Sequence, residues 1–305
     1  MTTLAPPVST TPSQDETRGM LLGLVGVAMF SLTLPFTRLT VAELDPLFVA
    51  LGRALGAALL AAAWLAWRRP PPPPRAALLP LVAVMLGVVV GFPLLSSMAL
   101  RHVPASHGAV LAGLMPLMTT LYAALRGDER PSVAFWLMAV LGAGLVLAFA
   151  LLQGGGALHV ADFLMFGALA AGSIGYAEGG KLARTLGGPE TICWALLLSV
   201  PLVAPLLAWR VEAESLVGVS AAAWLGLGYV TVFSMFIGFF FWYRGLALGG
   251  IARVGQVQLL QPFLSLVGAA LLLGEALTLH NLLFALAVIG VVCAGRRLQV
   301  RRRPG

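Results

Sequence analysis

Long apolar runs limit what this chain can fold into. Stretches of about 20 residues with few or no charges recur along all 305 residues, and a helix of that length spans a hydrocarbon core of about 30 Å. The runs predict ten transmembrane helices at 19–40, 46–67, 79–100, 104–125, 132–152, 161–183, 190–209, 220–243, 252–273 and 279–298. Composition agrees, since 59% of the residues are hydrophobic and 10% are charged. Barrel strands are excluded because no run alternates apolar and polar residues.

The second half of the chain repeats the first at a fixed offset. Pro116 precedes Glu129 by the same interval as Pro262 precedes Glu275, and 262 − 116 = 275 − 129 = 146, which is the repeat offset. A duplicated block with an odd number of crossings enters the bilayer from opposite sides. The fold class predicted is therefore an all-α polytopic membrane protein with ten transmembrane helices in two inverted five-helix repeats. That architecture is typical of alternating-access carriers.

The repeat also predicts the domain boundaries. We expect a cytoplasmic disordered tail at 1–18, the first repeat at 19–155, the inverted second repeat at 156–300 and a basic cytoplasmic tail at 301–305. Within the helices, glycines in pairs at four-residue spacing predict close helix contacts, which leaves open whether the helices only pack or also slide. These pairs are Gly19/Gly23, Gly52/Gly56, Gly87/Gly91 and Gly175/Gly179.

The charges indicate orientation rather than a nucleic-acid partner. The net charge is +7, and with a cytoplasmic N-terminus 15 of the 19 Lys and Arg residues fall inside. This positive-inside pattern predicts a multi-pass protein with both termini cytoplasmic. Nucleic acid is excluded because no aromatic residues are interleaved with the basic ones. Cys193 and Cys293 lie inside apolar runs and no spacing fits a metal site, so we expect neither a metal nor another cofactor.

Two segments resemble the fourth-helix and ninth-helix signatures of the drug/metabolite transporter superfamily, in its EamA-type branch. The resemblance covers residues 19–298 and rests on matching residues in 96–129 and 240–278. The matches in the first segment are Ala99-Leu100, Pro104-Ala105, Pro116 and Gly127-Asp128-Glu129, and those in the second are Leu246-Ala247, Pro262 and Gly274-Glu275. Arg53 resembles the arginine often found in the second helix of that branch. The second segment has no charged residues at the positions that correspond to Arg126 and Asp128. Whether Glu129 and Glu275 are equivalent therefore stays open.

The resemblance implies a carrier of the bacterial inner membrane with a central cavity. Its expected substrates are amino acids, aromatic ones included, and related zwitterionic metabolites, and its only other implied partner is the lipid bilayer. A drug or toxic-metabolite efflux carrier of the same fold is an alternative, and the oligomeric state stays open, monomer included. An intramembrane enzyme is disfavoured because Ser173 lacks a positioned histidine, and a channel because inverted repeats suit rocking about a central site.

Polar residues and breaks inside the helices are the candidate lining of that cavity. Gln258 and Gln261 share one face of the ninth helix, and paired amides can donate to a carboxylate and accept from an ammonium. Helix-to-helix hydrogen bonding is the alternative for both. The other candidates are the helix breakers Pro116 and Pro262, the polar residues Ser31, Thr33, Ser173 and Tyr176, and Met115.

Four ionisable residues are predicted to act in structure or gating. Arg53 could hold a substrate carboxylate or bond to helix-end carbonyls, and the second role is favoured. Glu129 and Glu275 could brace helix ends, and His107 could titrate or simply be solvated. No isolated carboxylate falls at the midplane, which favours facilitated diffusion or exchange over strict proton coupling.

Overall fold

The structure, a computed structural model, describes residues 14–126, 129–130, 133–153, 155–210, 216–250, 254–255, 257–297 and 301–302. Over this part the chain is almost entirely helical. Its α-helices are α1 (Gln14–Ser31), α2 (Thr33–Val41), α3 (Pro46–Arg68), α4 (Arg75–Val84), α5 (Phe92–Leu100), α6 (Ala105–Ala112), α7 (Met115–Leu125), α8 (Val133–Gln153), α9 (Val160–Leu182), α10 (Gly188–Arg210), α11 (Ala221–Tyr229), α12 (Gly238–Gly249), α13 (Gln261–Leu273) and α14 (Leu279–Arg297). Two-residue strands β1 (Glu129–Arg130) and β2 (Arg301–Arg302) pair antiparallel.

Seven helical spans in the described residues are long and apolar enough to cross a membrane. They are Gln14–Val41, Pro46–Arg68, Arg75–Leu100, Trp136–Gln153, Val160–Leu182, Gly188–Trp209 and Ala221–Gly249. Val257–Leu273 and Leu279–Ala294 are apolar but shorter. Large apolar side chains such as Leu79, Leu225 and Leu271 are more than two-thirds exposed on these helices, which suits a lipid-facing surface. The chain is therefore a multi-pass membrane protein.

Two of the apolar helices are interrupted just before a proline. The α6 helix ends at Ala112 and α7 begins at Met115, one residue before Pro116. Likewise a 3₁₀ turn, Val257–Leu260, precedes α13, which begins one residue before Pro262. Proline lacks an N–H and its ring clashes with the preceding turn, so it fits the first turn of a helix but not its interior. The prolines thus explain why these helices restart where they do.

Two further helices each contain a π-helical segment. Met85–Gly91 separates α4 from α5, and Val230–Ile237 separates α11 from α12. Their starts are offset by 230 − 85 = 145 and their ends by 237 − 91 = 146, so they fall at matching positions of the two halves. Long π-helical stretches are rare and occur mostly at functional sites. Both segments contribute residues to a cavity between the halves.

Helix packing follows the same correspondence between the halves. The α3 helix packs on α10 and α8 packs on α14, and the two helices of each pair are related approximately by the repeat offset. The α1–α12 packing is matched in the same way by that of α5 on α9. None of the described residues of α8 and α14 lines the cavity.

Some predicted boundaries differ from those observed. The first helix begins at Gln14, so residues 14–18 are helical, whereas 1–18 was expected to be disordered; residues 1–13 lie outside the described part. At the other end, Arg301–Arg302 form a strand within the expected tail, whose residues 303–305 are also outside the described part. Leu32 divides the first predicted helix into α1 and α2.

Candidate functional site

A cavity lies between the two halves, where the interrupted helices meet the π-helical segments. Twelve described residues line it, and seven of them are apolar: Phe30, Leu34, Val88, Phe92, Ala112, Met115 and Phe239. Its free volume is about 20 Å³, room for about one water molecule. A solute of several heavy atoms therefore enters this site only if lining side chains or helices move.

Aromatic rings form one wall of this cavity. The ring centroids of Phe30 and Phe239 are 4.9 Å apart, and that of Tyr176 lies 6.0 Å from Phe30 and 5.9 Å from Phe239. Trp242 supports them from behind, 5.4 Å from Tyr176. Such clusters offer both apolar area and ring faces that attract cations.

Five polar residues line the cavity, and three of them are linked by hydrogen bonds that include a guanidinium group. The five are Thr33, Arg53, Tyr176, Ser234 and Gln261. The Arg53 side chain is 2% exposed, and its Nη2 donates to Ser234 Oγ at 3.1 Å. Ser234 Oγ in turn lies 2.8 Å from Thr33 Oγ1. Arg53 Nε and Nη1 have no hydrogen-bond partner among the described residues, and neither has Gln261 Oε1.

The lining residues also match across the halves. Three pairs are related by the repeat offset, and they are Phe30 with Tyr176, Val88 with Ser234 and Met115 with Gln261. In each pair the earlier residue is apolar and the later one carries a polar group. The cavity therefore has equivalent positions from the two halves but different chemistry on its two sides.

Comparison with known proteins identifies the family. The model of the EamA-like transporter family matches this chain twice, at residues 17–151 and again at 159–295. The chain belongs to the EamA-like transporter family. The two matches are separated by residues 152–158.

Individual relatives of this EamA-like chain are bacterial. A protein of Bacillus subtilis named as the uncharacterized transporter YdeK is 46% identical over 281 residues, which are 92% of this chain and 98% of that protein. A probable terminal-alkyne amino-acid exporter of Streptantibioticus cattleyicolor is 29% identical over 289 residues, 92% of this chain and 89% of the other. One solved crystal structure has the same fold, with a TM-score of 0.62 at 18% identity over 93% of this chain and 99% of that one.

Several residues predicted from the sequence line the cavity of this EamA-like transporter, and others do not. Thr33, Met115, Tyr176 and Gln261 are lining residues, and so is Arg53. The remaining candidates, Gln258, Ser31, Ser173, Pro116 and Pro262, are not among the lining residues. Gln258 is buried, with no hydrogen-bond partner for its Nε2 in the described chain.

The two serines predicted to line the cavity both donate their hydroxyls to backbone carbonyls. Ser31 Oγ donates to the carbonyl of Val27, and Ser31 O accepts from Ser265 Oγ at 2.6 Å. Ser173 Oγ donates to the carbonyl of Met115 at 3.2 Å, which links α9 to the restart of α7. Their hydroxyls are therefore used by backbone carbonyls, a frequent arrangement for serine inside helices.

Two of the residues predicted to gate lie at the start of α6. Glu275 accepts hydrogen bonds from the backbone N–H groups of Ala105 and Ser106, both at 2.8 Å, so it caps this helix. His107 is 6% exposed, and its Nε2 lies 2.7 Å from Asp162 Oδ1. It is therefore buried and paired rather than solvated. Glu129 belongs to β1 opposite Arg302, and its side chain lies outside the described part.

Sequence reasoning missed four functional candidates. Phe30, Ser234 and Phe239 line the cavity, and Asp162 binds His107. The repeat offset carried a usable signal, because it projects Tyr176 onto Phe30. Asp162 gave no such signal, since a carboxylate in the first turn of a helix usually caps its N-terminus. It does cap here too, accepting from the backbone N–H of His159.

Proposed function

We propose that this protein is a bacterial inner-membrane carrier that exports amino acids and related zwitterionic metabolites by alternating access. In this proposal it has ten transmembrane helices in two inverted halves, 19–155 and 156–300, and both termini are cytoplasmic. The halves rock about the central cavity, which one chain forms completely, so a monomer contains a whole site. Neither a metal nor another cofactor takes part.

The observation that carries the proposal is the shared lining of the cavity. Positions related by the repeat offset contribute to it from both halves, beside matched helix interruptions and matched π-helical segments. Transporters built from inverted repeats place their substrate site at the repeat interface, and broken helices form it. A site shared by two halves opens to either side when one half tilts against the other.

The chemistry of the lining supports a zwitterionic substrate. Five of the twelve lining residues are polar, and one of them, Tyr176, also belongs to the aromatic wall. A drug-efflux carrier of the same fold is the second candidate, but an apolar drug gains nothing from a buried guanidinium and amide. The name of the Streptantibioticus relative, an amino-acid exporter, points the same way.

Neither a channel nor an enzyme is favoured. The small cavity between matched halves suits a carrier that is open to one side at a time. Ser173 donates to a backbone carbonyl and His107 faces a carboxylate, so neither residue forms a nucleophile–base pair with the other.

Counterflow in liposomes tests this function. We expect purified full-length protein to drive transient accumulation of at least one labelled amino acid against an excess of the unlabelled one inside. Protein-free liposomes and a matched panel of drug cations are the controls, and each solute is measured with and without a pH gradient. Absence of counterflow for all twenty amino acids would reject the proposal, and transport of the drug cations alone would favour the second candidate.

The ninth-helix glutamines provide a matched pair of variants. Gln261→Leu removes the only amide among the described lining residues, and we expect its transport rate to fall about tenfold, as loss of one hydrogen bond of about 1.4 kcal/mol predicts. Gln258→Leu removes an equally buried amide outside the lining and is expected to retain more than half of the rate. Equal losses in both variants would mean that the amides act by stabilising the bundle.

A further inference from the structure

The described part of the chain leaves the buried positive charge of Arg53 without a counter-charge. Arg53 is 2% exposed, and its one hydrogen bond in the described chain goes to Ser234, a neutral hydroxyl. None of the twelve described residues that line the cavity around it is acidic. Burial of a charge without a partner is costly, and such groups in native proteins mark a missing ligand or a functional role.

Other arginines in the chain show what a purely structural role looks like here. Arg38 Nη1 donates to the carbonyls of Leu100 and Arg101, at 2.5 and 2.9 Å. Arg101 Nη1 donates to those of Val41 and Leu44, at 2.6 and 3.3 Å. Both thereby satisfy carbonyls at helix ends. Arg53 makes no bond of this kind among the described residues, so the helix-locking role favoured from the sequence lacks the contacts it requires.

The N–H donors of Arg53 that lack a partner in the described chain belong to its guanidinium, and Arg53 lines the cavity. Its Nε carries one N–H and its Nη1 two, and none of these has a partner in the described chain. Ser234 and Thr33 orient the guanidinium by holding Nη2 through a short hydroxyl chain. A buried, oriented guanidinium with unused donors is well suited to bind a carboxylate.

Groups that suit an ammonium lie elsewhere in the same cavity. Gln261 Oε1 is a buried acceptor without a partner in the described part, and the rings of Phe30, Tyr176 and Phe239 present faces that attract cations. These groups are neutral, so they contribute to orientation, while Arg53 supplies the only charge among the described lining residues.

We propose that Arg53 binds the carboxylate of the transported solute, so that the carrier takes carboxylate-bearing solutes and rejects analogues in which that group is neutral or missing. The inference rests on the proposed function. The N–H donors of Arg53 that lack a partner in the described chain call for a negatively charged ligand, and this assigns the substrate class. Ser234 and Thr33 act as positioning residues.

The experiment compares each transported L-amino acid with its own amide and its decarboxylated amine. Counterflow of the labelled amino acid into liposomes with full-length protein is challenged by each analogue as competitor. We expect both analogues to compete about 30-fold less well, the loss typical when one partner of a buried charged pair is removed. Competition by the amide or amine within twofold of the amino acid would overturn the inference, whereas no transport of any amino acid would overturn the proposed function instead.

Variants of Arg53 distinguish a role in binding the solute from a role in stabilising the fold. Arg53→Gln is expected to lower amino-acid counterflow about 30-fold, with a thermal unfolding midpoint equal to or above that of the wild type, since an unpaired buried charge is lost. Arg53→Lys keeps the charge and should restore part of the rate. Arg38→Gln, the matched control, should lower the midpoint but leave the preference for amino acid over amide unchanged. Unchanged transport in Arg53→Gln, or a midpoint that falls as in Arg38→Gln, would overturn the assignment.

A further arm addresses inorganic anions, which could also neutralise a guanidinium. Amino-acid counterflow is measured in chloride and in methanesulfonate buffers at equal ionic strength, since gluconate would itself bring a carboxylate. A solute carboxylate at Arg53 predicts the same rate in both buffers or weak competition by chloride. A strict requirement for chloride would assign the free donors to that ion and overturn the proposal.

Discussion

Asp162→Ala is expected to destabilise the protein by about 3 kcal/mol, because it leaves His107 buried without its partner. The lost carboxylate also caps the first turn of α9 through the backbone N–H of His159. At about 2 °C for each kcal/mol in large domains, the thermal unfolding midpoint should fall by about 6 °C. The measurement is the unfolding midpoint of the purified protein in detergent, followed by intrinsic fluorescence.

Two further variants show whether the pairing itself is responsible. Asp162→Asn keeps the side-chain volume and one acceptor oxygen, so its unfolding midpoint should fall less than that of Asp162→Ala. Adding His107→Phe to Asp162→Ala removes the ring nitrogen that has lost its partner. The double variant should recover part of the lost unfolding midpoint, because burying two apolar side chains costs less free energy than burying a polar group without a partner. A double variant no more stable than Asp162→Ala alone would contradict this explanation.

The same contact has a consequence for transport. Asp162 and Glu275, both from the second half, hold the start of α6, and α6 runs down to Ala112 at the cavity. Movement of α6 away from the second half must break both contacts at once. If the proposed alternating access moves α6 in this way, we expect the strength of these contacts to affect how readily this end of the protein opens, a conformational step of the kind that often limits enzyme rates.

Much of the helix layout could be predicted from the sequence, because hydropathy and helix-end residues act locally. The run 46–67 matches Pro46–Arg68 closely, since Asp45 caps the helix by accepting from the N–H groups of Leu47 and Phe48. The eighth run, predicted to end at 243, continues to Gly249. Arg244 ends the apolar pattern but not the helix, because a charged side chain does not interrupt backbone hydrogen bonds.

The site was less predictable because it depends on contacts between distant segments. Arg53 was recognised, but whether its side chain reaches a carbonyl or the cavity depends on Ser234, which belongs to the other half of the chain. The π-helical segments were also missed, since an extra residue in a helical turn leaves no trace in hydropathy. Phe30 and Phe239 were not singled out, because only the fold places their rings near that of Tyr176.

The glycine contacts explain the packing of the first helix and lead to the second large effect. A Cβ added to Gly19 would lie 2.5 Å from the backbone N of Gly249 and 2.6 Å from its Cα. The backbones of α1 and α12 therefore touch here, as in small-residue helix crossings in membranes. By contrast Gly52, one of the glycines predicted to mark such a contact, has no described atom within 4 Å of an added Cβ.

We expect Gly19→Ala to destabilise the protein by about 3 kcal/mol or to prevent its accumulation, because backbone atoms cannot rotate away as side chains do and the two helices must separate. Gly52→Ala is the matched control, and it should be neutral or gain up to about 1 kcal/mol from helix propensity. The measurements are the amount of monodisperse protein extracted from membranes and its unfolding midpoint. Equal yields and midpoints for the two variants would show that α1 and α12 do not touch at this point, and the packing of α1 would need another explanation.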